Sequence, residues 1–262
     1  MDISVCIASY NGENHIVKQL NSILEQLDHN DEIIIVDDHS VDGTVNQIMS
    51  LNDPRIKIFI NESNKGHVFS FDRAISLAMN DFVFTSDQDD IWIPGRVSLM
   101  IDELIRSKAD LITSNFEWID DDEKPIYILI DGVKVSNSSK FIKNIFDIYV
   151  GKTNYFGCCM AFRRSFVKLI SPIPPFVESH DVWIALAANF IGSNCHLDAN
   201  TLRKRKHSNN TTSTVSKRSL FQKIRARFFF TLGLITLLNR RMEYMNFKRN
   251  HSKVLPIKTL SM

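Results

Sequence analysis

The chain has no hydrophobic run long enough to cross a bilayer: its longest apolar stretch near the end, residues 228–238, falls well short of a span. Cysteine is scarce. Cys6, Cys158, Cys159 and Cys195 form no CxxC and no Cys/His spacing, which excludes a zinc site and a disulfide framework and leaves reduced, buried thiols as in a cytoplasmic protein. No GxGxxG or GxxxxGKS phosphate loop occurs, so nicotinamide chemistry and ATP hydrolysis are disfavoured. The N-terminus enters a strand at once, with no basic segment ahead of an apolar core, so a signal peptide is not expected. An excess of one charge is also lacking. The net charge is +1, so no global field recruits nucleic acid, and no such partner is expected.

What is present is an ordinary globular composition, 44% hydrophobic and 23% charged, in 262 residues: one large domain with room for an appendage. The first half alternates two signals. Apolar strand-like runs at 3–9, 32–38, 55–61, 81–87 and 109–120 are separated by helical spacing at 15–27, 41–52, 66–80 and 95–108. This pattern predicts βαβ units and a mostly parallel sheet flanked by helices, an α/β fold. The alternation stops near Asp120. Beyond it come a hairpin-like arm (125–132), a helix (140–150), the apolar run 154–162, a three-proline loop (171–176), a helix (181–191) and a strand-like run (193–199). Residues 217–250 read as one or two basic amphipathic helices.

A turn rich in acid or glycine follows each of four successive strands: "SYNGE" (9–13), "DDHSVDGT" (37–44), "NKGH" (64–67) and "SDQDD" (86–90). In a parallel sheet these turns converge at the carboxyl ends of the strands, where open α/β sheets bind ligands. Carboxylates there can grip a sugar and base, and Asp87-Gln88-Asp89 can hold a hard cation, Mg²⁺ or Mn²⁺, against phosphates.

In this order and spacing the four turns resemble the nucleotide-sugar half of family 2 glycosyltransferases of the GT-A fold, which is Rossmann-like. "SDQDDIW" is similar to a form common in rhamnosyltransferase-like bacterial members, and "GCCMAFRRSF" (157–166), "SHDVWIALAA" (179–188) and "RKHSNN" (205–210) resemble the acceptor-side motifs of that subgroup. The resemblance covers about 1–210. It implies a nucleotide-sugar-binding half (1–120), an acceptor-binding half of the same domain (121–210) and a basic helical C-terminal appendage (211–262). Ala8, Tyr10 and Glu13 would line the pyrimidine and ribose, Asp38 would accept from the pyrimidine N–H, and Lys65 would lie near the nucleotide. Asp87 would bind ribose or metal-bound water, with Gln88 beside it. Asp89 would ligate the metal, His207 would reach the diphosphate or metal, and Asp181 would be the general base. The implied reaction is an inverting, metal-dependent transfer from a dTDP-rhamnose or UDP-sugar donor to a lipid-linked glycan of a surface polysaccharide such as O-antigen or capsule. Two departures stand out: Ala8 replaces a common proline, and Lys204 replaces a common tyrosine.

Other readings of the same residues remain open. Asp181 starts an apolar helix and could be its N-cap, a role Asp favours; the flanking His180 and Trp183 favour a base. Trp92 and Trp183 are read as pocket walls against the default of aromatic core. A sugar nucleotidyltransferase would want a basic first turn, which is missing; a nucleotide-sugar-binding protein without turnover would not need both metal carboxylates and a base. At the C-terminus, Lys217, Arg218, Lys223, Arg225 and Arg227 flank the apolar run near 228–238. That helix either lies peripherally on the inner face of the cell membrane or packs on its own domain.

Overall fold

A computed structural model describes residues 1–152, 155–206 and 219–252. The first half is built as the periodicity predicts: β1 (Ile3–Ser9), α1 (Ile16–Leu24), β2 (Glu32–Asp37), α2 (Thr44–Ser50), β3 (Ile56–Ile60), α3 (His67–Leu77), β4 (Phe82–Ser86), a short β5 (Ile91–Trp92), α4 (Arg96–Ser107) and β6 (Leu111–Ile119). Next come β7 (Pro125–Ile126), α5 (Phe141–Val150), β8 (Met160–Arg163), the short α6 (Val167–Ile170), α7 (His180–Phe190), β9 (Asn194–Arg205) and α8 (Leu220–Ser252).

The strands form one sheet in the order β3-β2-β1-β4-β8-β6-β9-β5, with β7 added to β6. β3, β2, β1 and β4 are mutually parallel, and so are β6 and β9. β8 runs antiparallel between β4 and β6 and joins the two parallel groups. The sheet is buried on both faces, which is why β2 reads as an unbroken "EIIIVD". Alternate residues divide between two cores: Val5 and Ile7 pack with Leu20, Ile23 and Leu104 of α1 and α4, while Cys6 packs with Ala74, Ile184 and Leu237 of α3, α7 and α8.

Four expectations need correction. The hairpin arm pairs only at Pro125–Ile126, and Tyr127 and Leu129 are exposed. The strand-like run 193–199 continues to Arg205, so that Lys204 and Arg205 are buried inside a strand. The apolar run 154–162 hides the start of β8. Trp92 and Trp183 are core, each 2% exposed, with indole N–H groups given to Ser86 Oγ (3.0 Å) and the Ile170 carbonyl (2.8 Å).

The C-terminal section is one helix of 33 residues, about 50 Å long. It docks through Leu237 and Tyr244, which are buried, and through polar ties: Arg240 donates to the Pro172 carbonyl (2.7 Å), Arg225 pairs with Glu178 (2.8 Å) and Lys248 with Asp110 (2.8 Å). The helix therefore packs on its own domain. No helix among the described residues is long and apolar enough to cross a membrane.

Candidate active site

The turns after β1, β2, β3 and β4 meet at the carboxyl edge of the sheet, tied together by side chains that the turns themselves supply. Asp37 is fully buried and accepts from Ser9 Oγ (2.8 Å) and from Ser40 N (2.8 Å), which locks the second turn to the end of β1. Asp38 accepts from Asn61 Nδ2 (2.7 Å), Lys65 N (2.9 Å) and Gly66 N (2.7 Å), which folds the third turn against the second. Burial pushes the Asp38 carboxyl up, but these donors outweigh it and hold it below the ordinary carboxylate value. Ser70 adds a further side-chain hydrogen bond, so the roughly four lone-pair positions of this buried carboxylate are taken up by the turns themselves.

Gln88 closes the ring of turns. Its side-chain amide accepts from Tyr10 N (2.9 Å) and donates to Tyr10 O (3.0 Å), clasping the fourth turn to the first. Glu13 accepts from Gly43 N (2.7 Å). Tyr10 itself is 44% exposed and presents its ring at the edge, Ala8 is half-buried on β1, and Lys65 is exposed, its ammonium 5.0 Å over the Phe69 ring.

In the fourth turn the carboxylates divide by depth. Asp87 and Asp89 are half-buried, while Asp90 is fully buried. Lys204 reaches in from β9, with its Nζ 2.7 Å from Asp87 Oδ2, 3.4 Å from Asp90 Oδ2 and 3.5 Å from Cys158 Sγ. Burial alone would push the ammonium down; the charges of Asp87 and Asp90 outweigh it and hold Lys204 well above its ordinary value. Asp87 wins the competition for this cation. Burial would raise it, but Lys204 brings it below the ordinary value. Asp90 loses: burial pushes it up to about 7 despite Lys204, with Asp89 and Asp87 adding to the rise. Arg205, next on the strand, donates to the carbonyls of Asp89, Asp120 and Asp121, each at 3.1 Å. Beneath the turn, the buried Arg96 holds the Cys158 carbonyl (2.6 Å) and lies 4.7 Å over the Trp92 ring. Burial lowers this guanidinium to about 10.

Asp181 lies in the first turn of α7, and Ser179 holds the N-cap position. The carboxylate accepts from Ser179 Oγ and from Val182 N (2.7 Å). His180 stacks on Phe71 with ring centroids 3.9 Å apart and is 5% exposed; neither ring nitrogen has a hydrogen-bond partner among the described residues. Burial lowers it, while the charges of both Asp181 and Asp87 act on it to raise it. His180 thus lies within electrostatic range of both carboxylate stations, which are far apart in sequence. Gly157 lets the ring in, since a Cβ there would fall 3.3 Å from its Cε1 and closer still to Nε2.

Of the residues singled out in the sequence, Tyr10, Glu13, Asp38, Lys65, Asp87, Gln88 and Asp89 belong to the four converging turns, Ala8 lies near the end of β1 beside them, and Asp181 heads α7. His207 lies outside the described residues, as do Lys217 and Arg218. Asp90, Cys158 and Lys204 fall within or beside the motifs read in the sequence but were given no role in the site, and Arg96 was not singled out. Lys204 had a signal in the sequence: a lysine where the family often has tyrosine, at the end of an alternating run.

For a cation, the donor set fits on one side only. Asp87 and Asp89 offer hard oxygen atoms that suit Mg²⁺ or Mn²⁺. Cys158 does not fit. A hydrogen bond with Cys159, together with burial, pushes its thiol well up, and a soft sulfur atom suits Mg²⁺ or Mn²⁺ less well than oxygen does.

Comparison with known proteins agrees with this fold. The model of the family "Glycosyl transferase family 2" matches residues 4–170. A UDP-Glc:alpha-D-GlcNAc-diphosphoundecaprenol beta-1,3-glucosyltransferase of Escherichia coli, WfgD, is 32% identical over 117 residues, 45% of this chain and 46% of that protein. The dTDP-rhamnosyl transferase RfbG of Shigella flexneri is 35% identical over 116 residues, 42% of this chain and 40% of its own length. The chain thus spans less than half the length of these two relatives in the matched region. Among solved structures, residues 1–349 of S. aureus TarS in complex with UDP-GlcNAc superpose with a TM-score of 0.65 at 19% identity, covering 93% of this chain and 73% of that one. At that identity the likeness shows a shared fold.

Proposed function

Because the chain belongs to glycosyl transferase family 2, we propose that it is an inverting glycosyltransferase that takes a sugar from a pyrimidine-nucleotide donor, dTDP-rhamnose or a UDP-sugar, and passes it to a lipid-linked glycan of a bacterial surface polysaccharide. The observation that carries this reading is the convergence of four strand-end turns around Asp38, Tyr10 and the Asp87–Asp89 carboxylates, with a separate carboxylate, Asp181, heading α7. In this reading residues 1–120 hold the donor, 121–210 shape the acceptor side and 211–262 are an appendage.

Asp38 ties the second and third turns together, and the exposed ring of Tyr10 offers a flat surface at the same sheet edge for a base. Asp87 and Asp89 would hold Mg²⁺ or Mn²⁺, which when bound stabilises the charge that develops on the leaving diphosphate. Asp181 takes the proton of the attacking hydroxyl at its carboxylate. Its Oδ1 is fixed by Ser179 and Val182, so the group is oriented before substrate arrives. A positioned base of this kind contributes about 10²–10⁴-fold.

A lipid-linked acceptor calls for contact with a membrane surface, and α8 supports that as a peripheral association at the inner face. Opposite its docked side it carries a second apolar stripe: Phe221, Ile224, Phe228, Ile235, Leu238 and Met242, each 52–75% exposed. The helix is basic overall, and Glu243 is its only acid. Exposed apolar area on a basic helix complements anionic lipid headgroups.

The test is a screen of the purified protein against UDP- and dTDP-sugars, with Mn²⁺ or with EDTA, read as nucleoside diphosphate release and as thermal shift. Metal-dependent stabilisation by one nucleotide class is expected. If no nucleotide sugar is consumed and none shifts the melting curve, the proposal falls.

A further inference from the structure

Three carboxylates crowd into residues 87–90, and β9 sends an ammonium among them. One ligand atom from each of Asp87, Asp90 and Cys158 lies within 4.8 Å of the others, a spacing that a small ion could bridge. The Lys204 Nζ contacts all three, at 2.7, 3.4 and 3.5 Å, and the lysine side chain is 4% exposed. We propose that Lys204 is a tethered cation that fills this inner pocket in place of a metal ion and confines any exchangeable divalent ion to the outer carboxylates, Asp87 and Asp89. The second half of this statement rests on the metal-dependent reading above.

The geometry carries the proposal in three ways. An ammonium has three donors and no acceptor, and here three acceptor atoms surround it. The tether is rigid, because the Arg205 backbone N–H, one residue on, donates to Asp90 Oδ1 at 3.1 Å, so the strand and the ammonium hold the same carboxylate. A divalent ion cannot share the pocket with it, since two cations a few ångströms apart repel by several kcal/mol at an effective dielectric of about 20. Lys204 is accordingly a positioning residue: it holds Asp87 by one oxygen and reduces the net negative charge that a metal meets.

A purely structural lysine would stabilise the fold without setting metal affinity, so the test reads Mn²⁺ binding directly, by electron paramagnetic resonance of free Mn²⁺, with and without UDP. Lys204→Met should bind Mn²⁺ about tenfold or more tighter than wild type, a change of at least roughly 1.4 kcal/mol. Lys204→Arg, which keeps the charge, should stay near wild type. No gain in Lys204→Met, or an equal gain in both variants, overturns the proposal. Buried carboxylates left without a partner destabilise a fold strongly, so Asp90→Asn provides a second arm with the lysine in place. It should leave Mn²⁺ affinity within about threefold of wild type, whereas a tenfold loss would make Asp90 a metal ligand and overturn the assignment. The functional reading is judged separately, by whether wild type binds Mn²⁺ only with UDP. If it binds none, that reading fails, while a gain in Lys204→Met still upholds the lysine's place in the pocket.

Discussion

Substituting Gly12 by alanine isolates what the Gln88 clasp does. A Cβ on Gly12 would lie 2.6 Å from Gln88 Cδ and closer still to Oε1, so the amide must leave. The backbone of Gly12 is not in the left-handed region, so alanine strains nothing else. The displaced Gln88 loses two hydrogen bonds to Tyr10, at 2.9 and 3.0 Å. Each is worth about 1 kcal/mol net, and both are at the exposed rim, where water replaces them in part. Gly→Ala returns about 0.4–1 kcal/mol by restricting the unfolded chain. The net loss of stability is therefore about 1 kcal/mol, a fall of roughly 2–4 °C in Tm for a chain of this size. Donor binding should suffer more, because Tyr10 and the Asp87–Asp89 turn lose their fixed relation. UDP affinity, measured by titration calorimetry with Mn²⁺, should weaken roughly tenfold, about 1.4 kcal/mol. The decisive measurement is the cycle with Gln88→Ala. Once the glutamine is gone the methyl group meets nothing, so the double variant should be no worse than Gln88→Ala alone. If the two losses simply add, the clasp is not what Gly12 protects and the reasoning fails.

Asp181→Asn keeps an acceptor for Ser179 and Val182, so folding and donor binding should persist while transfer drops by about 10²-fold or more; transfer at the wild-type rate would place the base elsewhere. The folded value of Asp38 lies below its unfolded one, so its stabilisation is present above the ordinary value of about 3.9 and is lost as pH falls through the folded value. Asp38→Asn should therefore flatten the loss of stability below about pH 4, seen as a smaller change in denaturation midpoint between pH 5 and pH 3; an unchanged acid limb would contradict this. Phe228→Glu with Ile235→Glu, both on the outward stripe of α8, should leave Tm within a few degrees and abolish co-sedimentation with anionic vesicles at low salt. Equal sedimentation of variant and wild type would refute the membrane-facing role of that stripe.

The parallel half of the molecule was legible in the sequence for a simple reason. Its strands are buried on both faces, so they read as unbroken apolar runs, and each ends in a turn that bonds to its neighbours. The family resemblance and the GT-A type of sheet followed from those turns in order. What was hidden involves charge inside structure. Lys204 and Arg205 look like a solvated basic run, yet each is neutralised by partners more than eighty residues away, Asp87 at 2.7 Å and Glu123 at 3.2 Å. Pattern reading has no access to such pairs. The role of α8 was half legible for a related cause. Its two apolar faces cancel any amphipathic pattern, so the sequence alone could not choose between packing on the domain and facing outward; one face of the helix does the first, and the opposite face is left exposed. Trp92 and Trp183 misled because a tryptophan beside a motif is as often core as pocket.

The end of β9 also bears on how the chain reaches one fold rather than a near neighbour of it. The β6–β9 pairing is irregular between Thr113 and Phe116, a place where the strands could rejoin one residue out of step. A one-residue slip would exchange the two sides of the strand. Lys204 and Arg205 point to opposite sides, one to the acidic turn and the other to the carbonyls of 120–121. A slipped strand would strand both ions in the interior without partners, at a penalty of several kcal/mol each. A misaligned chain is thus penalised by electrostatics as well as by packing, and the same two residues that complete the carboxylate turn also fix the register of β9.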